Sequence, residues 1–73
     1  MTAAAPVITV RLDGHDHPVP AGTTLAALVL ALGHEPEALT TAVNGEFVPR
    51  HARDSCLLRC GDAVLFFHPI VGG

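Results

Sequence analysis

Residues 61–73 read GDAVLFFHPIVGG, and the run AVLFFH from Ala63 to His68 decides the architecture. It follows a Gly61-Asp62 turn and is the most strand-like stretch of the chain. Side chains alternate across a strand, so Val64 and Phe66 share one face while Leu65 and Phe67 share the other. The strand carries large apolar groups on both faces, yet a single helix can cover only one side of a sheet, so one of those faces lies uncovered. Val64 and Phe66 are assigned to the covered core, and Leu65 and Phe67 to the open face, although period alone allows the reverse. Beyond this strand the chain reaches Gly72-Gly73, residues that bury no side chain and carry the highest backbone entropy.

Working outward, VITVRL at residues 7–12 alternates Ile8, Val10 and Leu12 against Thr9 and Arg11, the period of a strand with one buried face. Asp13-Gly14 opens a turn that takes in His15 to His17, and HPVP at residues 17–20 reads as a short second strand. Pro18 and Pro20 confine that strand to a sheet edge, because neither offers an N–H to a central ladder. Thr23 or Thr24 can cap a helix whose Leu25, Leu28, Val29 and Leu32 form one stripe, and Gly33 stops it. Two β-rich runs then flank Asn44-Gly45, a dipeptide suited to the positive φ of a tight hairpin turn. Pro49 marks a further edge, and SCLL at residues 55–58 reads as a short, weak element. The expected order is ββαβ(β)β.

With 73 residues the chain makes one small domain, too small to enclose a large active site. Its residues are 49% hydrophobic and 15% charged, which excludes intrinsic disorder and leaves apolar surface for a partner. The net charge is −3, and Arg11, Arg50, Arg53 and Arg59 are scattered, which disfavours nucleic-acid binding. MTAAAPV lacks a cationic start followed by an apolar segment, and the longest apolar run, Leu25 to Leu32, is too short to span a bilayer. A soluble cytoplasmic protein with no membrane partner is therefore expected.

No residue pattern points to autonomous catalysis. His51, Asp54 and Ser55 are neighbours in sequence, which is not the spatial arrangement of a triad. Cys56 and Cys60 have no nearby His or Cys partner at zinc-site spacing and read as ordinary thiols. His15 and His17 lack a third ligand near in sequence, while His34, His51 and His68 are dispersed, so no metal site is expected. Leu30, flanked by Ala26, Ala27 and Ala31, reads as an exposed leucine.

AGTTLAALVLAL, AVNGEFVPR and GDAVLFFHPIVGG occur in this order in a short chain, and together they resemble the ThiS-type sulfur carrier proteins. The resemblance covers everything from Val7 on. It implies an α+β fold, the ubiquitin-like β-grasp, with a mixed four- to five-stranded sheet and one main helix packed on one face. The expected organisation is a flexible N-terminal tail at residues 1–6, the β-grasp domain at 7–68 and a flexible Gly-Gly tail at 69–73. The N-terminal extension, the His15 to His17 stretch and Pro69 are not demanded by the family pattern.

The resemblance further implies that Gly73 is adenylated by an activating enzyme of the E1-like, ThiF type and then converted to a thiocarboxylate. The sulfur would come from a donor such as a cysteine desulfurase and pass to a ThiG-type thiazole synthase in thiamin biosynthesis. The chain itself would bind no cofactor, with ATP and Mg used by the activating partner, and it would serve as a co-substrate rather than an enzyme. Gly72, Val71, Ile70, Phe67 and Leu65 are the expected partner-binding residues. Related Gly-Gly carriers serve molybdopterin, cysteine and natural-product pathways, and ubiquitin-like modifiers instead form isopeptide bonds with lysines.

Overall fold

Two tight turns set the register of the sheet. In a computed structural model, which describes residues 6–68, Asp13 and Gly14 have φ of 51° and 85°, and Asn44 and Gly45 have φ of 52° and 83°. Positive φ at both central positions matches the right-handed twist of adjoining strands, so each pair closes a two-residue hairpin. The first joins β1 (Val7–Leu12) to β2 (His15–Pro20), with Leu12 opposite His15. The second joins β3 (Thr40–Val43) to β4 (Glu46–Val48), with Val43 opposite Glu46.

β5 (Ala63–Phe67) lies between the two hairpins, giving the strand order β2-β1-β5-β3-β4. It runs parallel to β1 and antiparallel to β3. The sheet is therefore mixed and five-stranded, with prolines confined to edge strand β2 as expected. The second strand is longer than the sequence reading allowed. Because Asp13-Gly14 suffices for the turn, pairing resumes at His15, and His15 to His17 lie in β2 rather than in the loop.

α1 (Leu25–Ala31) packs on one face. Thr24 caps it by accepting a hydrogen bond from the Ala27 N–H at 3.1 Å, and Gly33, at φ 80°, turns the chain away after it. Two turns of helix are marginal alone in water, so burial of Leu25, Leu28 and Val29 is what holds them. The core joins Leu25 and Leu28 to Val10, Val19, Leu58 and Val64, with Phe66 and Leu12 packed against it. Leu28→Ala or Val64→Ala is expected to cost about 2–4 kcal/mol by opening a cavity, read as a shift in the denaturant midpoint. A neutral result would mean that the residue faces away from the core.

The stretch around SCLL departs from expectation. Residues Arg50–Ser55 form a 3₁₀ helix, with a shorter one at Pro36–Ala38, and Leu57 makes only an isolated bridge to Thr24. Neither 3₁₀ segment was read from the sequence. The longer one buries Arg53, which the sequence reading counted among the scattered arginines. Among the described residues no helix is long and apolar enough to cross a membrane.

Candidate docking face and tail root

Directly opposed residues in a ladder share a face, so the pairings define the side of the sheet away from α1. Leu65 is opposite Ala42, Ala42 is opposite Phe47, and Phe67 is opposite Thr40. Leu65, Phe67 and Phe47 are 38%, 51% and 65% exposed, whereas Val64 on the helix side is fully buried. The assignment of Val64 and Phe66 to the core, and of Leu65 and Phe67 to the open face, agrees with this burial. Phe47 was missed, although the Asn44-Gly45 turn sets a register that places it opposite Ala42, on the same face as Leu65 across β3.

The rest of that face is different. On β1 and β2 it carries Thr9, Arg11 and Asp16, with Arg11 and Asp16 approaching to 3.9 Å in an exposed pair. Such a pair is screened by solvent and adds little stability. Val7, which is exposed, is also on that face, with Pro18 and Pro20 opposite Thr9 and Val7, while Leu65, Phe67 and Phe47 form its aromatic-containing part on β4 and β5, on either side of β3.

That exit is built by neighbouring turns. β1 pairs with β5 only through Arg11–Ala63 and Leu12–Val64, and beyond Leu12 the Asp13 carboxylate takes over. Its Oδ1 accepts the Phe66 N–H at 3.3 Å, while the Asp13 N–H donates to the Val64 carbonyl at 2.9 Å. At its start, β5 is fixed by Asn44, whose Oδ1 accepts from the Ala63 N–H and whose Nδ2 donates to Asp62 Oδ1, both at 3.0 Å. The final strand is thereby held at both ends, and Phe67 retains β3 alone as its paired neighbour.

Arg53 stabilises the far side of the patch. Its guanidinium is buried and donates to Thr41 Oγ1 at 3.0 Å, to the Pro36 carbonyl at 2.9 Å and to the Leu39 carbonyl at 2.7 Å. Thr41 in turn donates to the Val48 carbonyl at 2.9 Å, linking β3 to β4. Burial, then the nearby Arg50 charge, draws the Arg53 guanidinium below the usual arginine range. A cavity of about 150 Å³ lies beside it between α1 and the longer 3₁₀ helix, edged by the exposed Leu30.

The remaining candidates fall apart in space or stay simple. Cys56 and Cys60 are free thiols, the first half-buried and the second exposed. Burial and the Asp62 carboxylate raise the Cys56 thiol above its ordinary value, which makes it a poor nucleophile. Among the described residues no group of three or more His, Cys, Asp or Glu side chains is placed to hold a metal. His34 and His68, dispersed in the sequence reading, come together at the exit of β5 with ring centroids 5.2 Å apart. Ile70, Val71, Gly72 and Gly73 lie outside the described residues, as do most of the expected N-terminal tail and all of the C-terminal one.

Residues 8–73 match the family model of the ThiS family. No curated protein sequence matches the chain significantly. Among solved structures, the crystal structure of the thiamine biosynthesis protein ThiS from Geobacter metallireducens is 29% identical, with a TM-score of 0.79, covering 90% of this chain and all of that one. An NMR solution structure of a thiamine biosynthesis protein from Geobacter metallireducens is also 29% identical, with a TM-score of 0.72, covering 90% of this chain and 88% of that one. A likeness of that extent gives the chain the ubiquitin-like β-grasp fold.

Proposed function

Because the chain belongs to the ThiS family, with its match running through Gly73, we propose that it carries sulfur on a C-terminal thiocarboxylate, most directly for thiazole formation in thiamin biosynthesis. The observation that carries this reading is the arrangement around β5. The central strand presents an apolar face through Leu65 and Phe67, and it ends one residue before His68, which lies five residues ahead of Gly73 in the sequence.

The chemistry follows from a carboxylate at Gly73. A terminal carboxyl with a pKa of about 3.5 is ionised at neutral pH, so its oxygen can attack the α-phosphorus of ATP on an E1-like, ThiF-type enzyme. Pyrophosphate leaves and an acyl-adenylate forms, with Mg held by that enzyme. The terminal sulfur of a persulfide, supplied through a cysteine desulfurase, displaces AMP to give an acyl disulfide. A second thiol attacks the outer sulfur of that disulfide and releases the thiocarboxylate, which a ThiG-type synthase accepts as sulfur donor. The chain is the co-substrate, and its partners supply the catalysis.

Glycine suits the reacting end because no Cβ hinders close approach of backbone to nucleotide. Ordering the tail in a partner's channel costs conformational entropy, which contacts of Leu65, Phe67, Ile70 and Val71 offset. Pro69 lowers that cost by fixing φ and favouring extended geometry at His68. Intact mass spectrometry after incubation with the activating enzyme, ATP and a sulfur source tests the reading. The expected product has one sulfur in place of one oxygen at the C-terminus; a lysine conjugate or an unchanged acid would refute it.

Docking can be tested separately. Leu65→Ser with Phe67→Thr removes apolar contact from the open face while keeping residues a strand tolerates. Affinity for the activating enzyme should fall by about 2 kcal/mol or more, since a few buried anchors carry most of an interface's binding energy. Calorimetric binding and denaturant unfolding on the same variant decide the matter. Unchanged affinity in a folded variant would move the docking site elsewhere.

A further inference from the structure

His34 and His68, remote in sequence, meet where β5 ends. His34 follows the Gly33 turn, and its backbone N–H donates to the Val29 carbonyl at 3.1 Å. Its ring stands edge-to-face on Phe66, with centroids 5.3 Å apart and planes at 89°. Phe66 and His68 lie two positions apart, which returns the His68 ring to the His34 side of the strand. The two imidazoles are inclined at 49°, with centroids 5.2 Å apart. Among the hydrogen bonds of the described residues, neither ring serves as donor or acceptor.

A tetrahedral ion bound by two imidazole nitrogens at about 2.0–2.1 Å keeps the ring centroids roughly 5 Å apart. The observed spacing already has that value, and inclined planes suit rings converging on one ion better than rings stacked face to face. Imidazole is a ligand matched to zinc, nickel and copper rather than to magnesium or calcium.

The geometry points to His34 and His68 as a two-histidine site for a zinc-class divalent cation, with water in its remaining positions. No third protein donor from the described residues joins them, so the site is a weak chelate rather than a closed structural centre. An ion held there ties the loop after α1 to the end of β5. It thereby fixes the direction in which the chain leaves the sheet.

Titration of the full chain with Zn²⁺, followed through the imidazole resonances of all its histidines, tests the site. His34 and His68 are expected to respond together at the lowest metal concentration, ahead of His15, His17 and His51. His34→Ala and His68→Ala should each weaken binding at least tenfold, while His15→Ala leaves it unchanged. His68→Ala alters an exposed residue beyond the last strand, so it remains informative should His34→Ala disturb the fold. Unaltered affinity in His68→Ala, or a first response from His15 and His17 with His34 and His68 silent, would overturn the assignment.

Discussion

A chain lacking Gly73, or carrying one residue beyond it, is expected to form no acyl-adenylate and to unfold at the same denaturant concentration as the intact chain. Reaction at phosphorus requires the attacking oxygen to approach to about 3–3.5 Å. One residue of extended chain displaces the terminal carboxylate by about 3.3–3.6 Å. A shortened end stops short of the nucleotide, and a lengthened one overruns it. Stability is insulated from the change because the core residues and those packed against them all lie between Ile8 and Phe66 in the sequence. Adenylation measured as pyrophosphate release, alongside denaturant unfolding, checks both halves. Persistent pyrophosphate release from either variant would remove Gly73 from its assigned role.

Arg53→Ala should lower the free energy of unfolding by about 3 kcal/mol or more, because a buried acceptor left unsatisfied costs about 1–3 kcal/mol. Three acceptors lose their donor together: Thr41 Oγ1 and the carbonyls of Pro36 and Leu39. Arg53→Lys should restore only part of the loss, since an ammonium cannot reproduce the fixed fork of donors. Arg50→Ala, at an exposed position, should stay within about 0.5 kcal/mol of the parent. Arg53→Ala should also weaken docking even where it remains folded, because Arg53 and Thr41 together secure β4, which carries Phe47. A neutral Arg53→Ala in chemical denaturation would show that apolar packing alone holds the β3–β4 side of the sheet.

Much of the fold was legible because it depends on local chemistry. Asn44-Gly45 and Asp13-Gly14 announce turns through the φ values they tolerate, and the alternation in VITVRL and AVLFF exposes the buried face of each strand. Counting one helix against two apolar faces showed that one face of the last strand lies open; the period allowed either face, and the burial of Val64 decides for Leu65 and Phe67 as the open one. What escaped was long-range or irregular. Arg53 reads as solvent-exposed by its charge, and only the fold supplies the carbonyls that make its burial tolerable. The 3₁₀ turns after Pro49 and Glu35 have no periodic signature over so few residues. His34 and His68 become neighbours only once β5 has passed beneath the end of α1. Phe47 could have been found by carrying the Asn44-Gly45 register two residues onward.

The position of β5 has a consequence for biogenesis. The final strand of the described chain occupies the centre of the sheet, between hairpins that do not otherwise pair with each other. Until Phe67 has emerged from the ribosome, β1 and β3 each offer an unpaired edge, and neither hairpin has a common layer on which α1 can settle. Joining the first strand to the last is a contact of large sequence separation, which makes closure slow compared with hairpin formation. A partner that grips Leu65 and Phe67 therefore recognises more than a patch. It recognises a molecule whose synthesis has run through β5 and whose sheet has closed, so that under the proposed function unfolded chains would be screened out before activation.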